Sequence, residues 1–240
     1  MPEQFVIDTT FNVHSDAQGG DPDSTSPTLR SYHRFLWSRP LPNGKVFDLS
    51  IKKRGAYLYH TSDLGEFFLG SDTITHSYRK HKRKLSLTEQ IPAEVNELFE
   101  AGCTIGAYTI FPNNKINGKV TINGERGCNS LIDDRFDLTL ECIRLFYLQQ
   151  DSPLYQTLLR YRHFFDLFGD FACYVKFFLL DDLVDENYHI KFYLPFNNFK
   201  AKPAFSSIGD YLTYRNAVMD FISSRNKRIE NYVEKFGLQN

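Results

Sequence analysis

The stretch Lys119 to Gln150, KVTINGERGCNSLIDDRFDLTLECIRLFYLQQ, governs how the rest of the chain is read. It divides into a short β-rich run at 119–122, a polar loop carrying Gly124 and Gly127, and a helix over 133–147. At about 100° per residue, Asp134, Asp137, Glu141 and Arg144 fall within a sector of roughly 80° on that helix. Most of the remaining circumference is apolar, so the helix is expected to be largely buried. Its charges must then meet water at a narrow opening or find partners inside, because an unpaired buried charge is prohibitively costly.

Arg135 and Thr139 fall in the apolar sector, so Arg135 requires a carboxylate, a carbonyl or a bound anion. Two arrangements meet these demands. In one the charges form internal salt bridges, with Glu141 on Arg144 at i,i+3 and Asp133 or Asp134 capping the helix. In the other a ligand sits at the TINGERG loop, where glycines allow close backbone approach and Arg126 offers a planar fork for phosphate or carboxylate. That arrangement casts Asp134, Asp137 and Glu141 as catalytic groups and Asn123, Arg126, Arg135 and Arg144 as ligand-binding groups. The loop lacks the Walker lysine and the dinucleotide glycine spacing. Asp133 and Asp134 would also oppose an anion there unless Arg126 or a metal screened them.

Working outward, 45–51 alternates around Val46, Phe47, Leu49 and Ile51, and 56–60 is a second β-rich run, which predicts a hairpin turning at KKRG. Residues 104–111, TIGAYTIF, predict a strand pairing with 119–122. Ser26 as N-cap and Pro27 as first helical residue open a helix running to Arg39, whose second face, Arg30, His33 and Arg34, is either solvated or an anion site. Pro92 starts an amphipathic helix that ends near Gly102, and Ser152-Pro153 starts another that ends at Gly169. Residues 171–180 are too uniformly apolar to classify by period. The alternation at 189–194 predicts a strand, and a long amphipathic helix follows from about 207 to 236, with Arg215, Arg225, Lys227, Arg228 and Glu230 on its wet face.

Early strands followed by helices predict an α+β fold. The expectation is a single domain over 27–240, with antiparallel β-hairpins in the first half, a helical second half and one further strand. Residues 1–26 read as a polar segment, a candidate for mobility.

With 240 residues, 42% of them hydrophobic and 15% aromatic, the chain can bury a substantial core. Its formal net charge of -1 excludes a surface that binds polyanions throughout, so any nucleic-acid contact is regional. Cys103, Cys128, Cys142 and Cys173 show no CxxC or zinc-finger spacing, which predicts free thiols and no metal site. Asp181, Asp182, Asp185 and Glu186 could attract Mg²⁺ or form an exposed acidic turn. Neither a secretory pattern nor an apolar run near the roughly 20 residues of a membrane span is present, which points to a cytoplasmic protein. The signatures GxSxG and HExxH are also missing.

The run HSYRKHKRK at 76–84 packs five Lys/Arg and two His into nine residues. Arg79, Lys80, Lys82, Arg83 and Lys84 are the candidates for salt-dependent contact with nucleic acid or an acidic protein partner.

The strings DPDSTSPTLRSYHRFLWSRPLPNG, TIGAYTIFP, TINGERG, DRFDLTLECIR and RYRHFFDLF resemble a family of bacterial proteins of about this size, catalogued only as a domain of unknown function. The similarity runs from about Asp21 to Ile229. It implies a bacterial or phage origin and a single-domain unit, and it implies no activity, cofactor or catalytic residue. Two functions are therefore expected as alternatives. One is binding of a phosphate-bearing ligand, a nucleotide or nucleic-acid end, at the charged stripe beside TINGERG, in an enzyme or a sensor. The other is a non-enzymatic interaction protein of phage or bacterial defence context acting through 76–84. An oligomer formed through the aromatic-rich C-terminal half fits either.

Overall fold

The computed structural model describes residues 6–75 and 86–236, so the basic run at 76–84, with Arg79, Lys80, Lys82, Arg83 and Lys84, lies outside the described residues. The fold is α+β, a three-stranded antiparallel sheet from the first half of the chain with nine α-helices among the described residues.

The chain order begins with α1 (Pro22–Thr25) and α2 (Pro27–Trp37). Next come β1 (Leu58–Ser62) and β2 (Gly65–Thr73), then α3 (Pro92–Ala101) and β3 (Tyr108–Pro112). The second half is α4 (Ile122–Cys128), α5 (Phe136–Tyr147), α6 (Tyr155–Arg160), α7 (Arg162–Asp166), α8 (Phe171–Phe177) and α9 (Ile208–Phe236). None of these helices is long and apolar enough to cross a membrane.

Local signals held where they were local. Ser26 caps α2, its side chain accepting from Leu29 N, and Pro27 occupies the first turn. Pro92 opens α3, which ends at Gly102. Pairing departs from expectation. The centre of the sheet is β2, which pairs with β1 in the register Leu58↔Leu69 and with β3 in the register Thr73↔Tyr108. The predicted 45–51 strand contributes two isolated bridges, Pro40↔Val46 and Ser50↔Tyr59. Residues 119–122 do not pair with β3, because Thr121 is already the N-cap of α4. The expected strand at 189–194 contracts to the single bridge Val184↔Ile190. The helix expected from Ser152-Pro153 to Gly169 is broken into α6 and α7 at Tyr161.

Residues 6–26 reach into the core through Ile7, Val13 and Ala17, all buried. That core is one continuous cluster, centred on Trp37, Phe47, Phe164, Phe168, Tyr174, Phe177 and Phe178. Edge and tilted ring contacts run through it, such as Phe168 to Phe177 at 4.9 Å and Trp37 to Phe178 at 5.3 Å.

Two polar residues are inside: His33, whose face was expected to be solvated or an anion site, and Arg225, expected on a wet face. His33 is fully buried, with Nε2 against Ser71 Oγ at 3.0 Å and Nδ1 accepting from Trp37 Nε1. Burial, with Arg225 adding to it, pushes its imidazole down to about 3. Arg225 is also fully buried, and its guanidinium donates to the carbonyls of Phe178, Gly106 and Tyr108. It ties α9 to the entrance of β3, where a Cβ on Gly106 would lie 2.7 Å from Ile222 O and 2.4 Å from Asn226 Oδ1. Only glycine admits that approach.

Candidate functional site

A cavity of about 700 Å³ opens between α1, the end of β2, α3 and the start of α4. Side chains alternate faces along β2, so Ser71 meets His33 while Asp72 turns toward the cavity and Arg126. Asp21 caps α1 by accepting from Asp23 N, and that turn presents Asp23 at the cavity wall. Asn123 from α4 and Asp134 complete the polar side, while Val95, Leu98, Phe99 and Tyr108 form the apolar side.

The segment TINGERG is a helix here, and that corrects the loop expected from its glycines. Thr121 Oγ1 accepts from Gly124 N at 3.2 Å, and the turn continues through Cys128 as α4. The cap and the anchoring of Arg126 outweigh the helix-breaking preference of Gly124 and Gly127. Arg126 is fully buried and every guanidinium nitrogen is engaged. Nε donates to Thr139 Oγ1 at 3.2 Å, Nη1 donates to the Asp72 carboxylate and to Thr73 O, and Nη2 donates to Asp134 O, with Asp134 Oδ1 3.7 Å away. Burial works against its charge, but Asp72 and Asp134 overcome it and hold its pKa above the ordinary value.

Asp134 was expected on the central helix, which instead begins at Phe136. Asp133 and Asp134 both take positive φ, 47° and 67°, conformations that aspartate tolerates better than most residues. That double kink carries Asp134 off the helical stripe and toward Arg126. The rest of the stripe is bound into pairs. Arg135 forms a two-pronged bridge to Asp137, which also accepts from Tyr193 N at 3.0 Å. Both members are buried. Glu141 takes the Arg144 guanidinium through both oxygens, at 2.7 and 2.8 Å. The cavity therefore collects Asn123 and Asp134, with Arg126 behind it, and leaves Arg135, Asp137, Glu141 and Arg144 out of its lining.

Electrostatically the cavity is acidic. Burial pushes the Asp72 carboxyl up to about 7, with Arg126 opposing and Asp23 and Asp134 adding. Burial also pushes Asp23 up to about 6, with Ser71 and Arg126 opposing and Asp21 and Asp134 adding. The two titrate as a linked set around one guanidinium and hold a proton into the range of pH 6 to 7. Asp23 Oδ1 is buried without a hydrogen-bond partner among the described residues, while the Ser71 hydroxyl acts on the same carboxyl group. Perturbed carboxyls in a cleft of this size make it the candidate site. Among the described residues, no group of three or more His, Cys, Asp or Glu side chains is placed to hold a metal ion.

Residues 7–229 match a family of unknown function, DUF6994. The chain belongs to that family. No curated protein and no solved structure matches it. The DUF6994 match takes in the whole cavity lining, from His14 to Asp134.

Sequence reasoning missed Asp21, Asp23 and Asp72. Asp21-Pro22 is a cap-and-start signal that could have revealed α1. Nothing local marks Asp72, because only its placement on β2 beside α4 makes it part of a site.

Proposed function

We propose that the acidic cavity binds a small organic cation, an amine or amidine joined to an apolar body. The observation that carries this reading is the buried Asp23 Oδ1, without a hydrogen-bond partner among the described residues, in a cavity bordered by Asp21, Asp72 and Asp134. A protonated amine there would satisfy Asp23 and offset the surplus of negative charge, while Val95, Leu98 and Phe99 would cover an apolar body. A volume of about 700 Å³ suits a drug-sized molecule. A phosphate group, the ligand expected from TINGERG, would meet carboxylates and a guanidinium whose nitrogens are already engaged.

Calorimetric titration with benzamidine, phenethylamine and agmatine tests the reading. At least one of these is expected to bind saturably, and Asp23→Asn is expected to weaken it about tenfold or more. Affinity for a ligand that stays protonated should rise between pH 5 and 8, as the Asp23 and Asp72 pair loses its proton. Absence of amine binding, or amine binding indifferent to Asp23→Asn, would remove the proposal.

A further inference from the structure

Helix α1 borders a second cavity. Pro22 and Asp23 line the acidic one, whereas Ser24 and Thr25 line another of about 570 Å³ whose wall includes Arg30, Ser31 and Arg34 of α2. These are the arginines that the sequence places on the second face of that helix.

Both guanidiniums, Arg30 half-buried and Arg34 exposed, donate to backbone carbonyls. Arg30 donates through Nε to Tyr57 O, and through Nη2 to Ala56 O at 3.0 Å and Ile51 O at 3.3 Å. Its guanidinium also stands over the Tyr57 ring, 5.4 Å from the centroid. Arg34 donates through Nε to Leu49 O at 3.2 Å. Neither forms an ion pair with a described carboxylate. Both Nη1 protons of Arg30 and all four terminal protons of Arg34 are left without an acceptor among the described residues. Carbonyls orient these groups without neutralising them. The hydroxyls of Ser24 and Ser38 add further donors, whereas Thr25 and Ser31 already donate theirs to backbone carbonyls, and Asp48 is the one acidic side chain among the described residues of this wall.

We propose that this second cavity binds the phosphate monoester of a small molecule, with Arg30 and Arg34 holding the phosphate. Several oxygens and up to two negative charges match two guanidiniums with this many free donors, whereas a carboxylate offers only two oxygens. The volume accommodates a body of about mononucleotide size beyond the phosphate. The proposal stands on its own observations and does not depend on the acidic cavity being occupied.

The test is calorimetry on the full chain with inorganic phosphate and with AMP at low salt. AMP is expected to bind saturably, to weaken steeply with added salt, and to bind at least about tenfold more weakly to Arg34→Gln. Arg34 is the residue to change because it makes one backbone bond, while Arg30 holds three carbonyls in place. An unchanged melting temperature for Arg34→Gln would show that the fold survives. Asp23→Asn should leave AMP binding intact, so the two sites can fail separately. The proposal is overturned if neither phosphate nor AMP binds, or if Arg34→Gln binds AMP as the wild type does. It is equally overturned if oligothymidylate or phosphatidylserine vesicles bind through Arg34 while AMP and phosphate do not.

Discussion

Four aspartates line the first cavity, with one guanidinium behind them whose every nitrogen is engaged, whereas around the second two guanidiniums face one aspartate and keep most of their donors. The difference lies in what fixes each arginine. Arg126 is held by carboxylates and spends its charge on them. Arg30 and Arg34 are held by carbonyls, which set direction and leave a net positive charge. Arg225 is also carbonyl-bound, but it is sealed in the core, and burial drags its pKa down to about 9. An arginine is available to a ligand when its partners are neutral and space remains in front of it.

The contrast can be broken most forcefully at Arg126. Arg126→Met leaves Asp72 and Asp134 without their counter-charge and should cost about 3–5 kcal/mol in urea unfolding. A cost below about 1 kcal/mol would mean that the guanidinium does not neutralise the acidic cavity.

A second effect is the pH dependence of stability. Asp23 has a folded pKa of about 6, above its ordinary value, so it keeps a proton in the folded protein where the unfolded chain has lost it. Its contribution is complete below pH 4 and disappears as pH rises through about 6. Relative to Asp23→Asn, the wild type should therefore lose on the order of 2 kcal/mol between pH 4 and 7. Parallel unfolding curves for the two proteins across that range would contradict the assignment. His33 acts in the opposite sense, because its folded pKa of about 3 makes the unfolded chain the stronger proton acceptor below about pH 6.5. The smallest effect is expected at Arg34, where Arg34→Gln should change unfolding free energy by no more than about 0.5 kcal/mol. A larger loss would make that arginine a structural clamp like Arg126.

What the sequence revealed follows the range of the forces involved. The Ser26 cap, the Pro27 and Pro92 starts and the long α9 are set by neighbours within a turn or two, and all were legible. Strand β2 was not, because Phe67, Phe68, Leu69 and Gly70 do not alternate and its order comes from β1 and β3 on either side. Glu141 with Arg144 follows from helical spacing and was one of the two arrangements foreseen. Asp134 defeated the helical projection because two consecutive positive φ angles precede the helix. Asp23, Asp72 and Arg126 come from α1, β2 and α4, and only the tertiary fold brings them together.

The four residues of α1 are a wall one turn thick, with a cavity against each half of it. Such a partition cannot give way on one side without intruding on the other. A cation in the first chamber and a phosphate in the second would each express a preference for where that wall stands. By thermodynamic linkage, whatever factor the first ligand imposes on the affinity of the second is returned unchanged. A single turn of helix would thus serve as the common term in two binding equilibria.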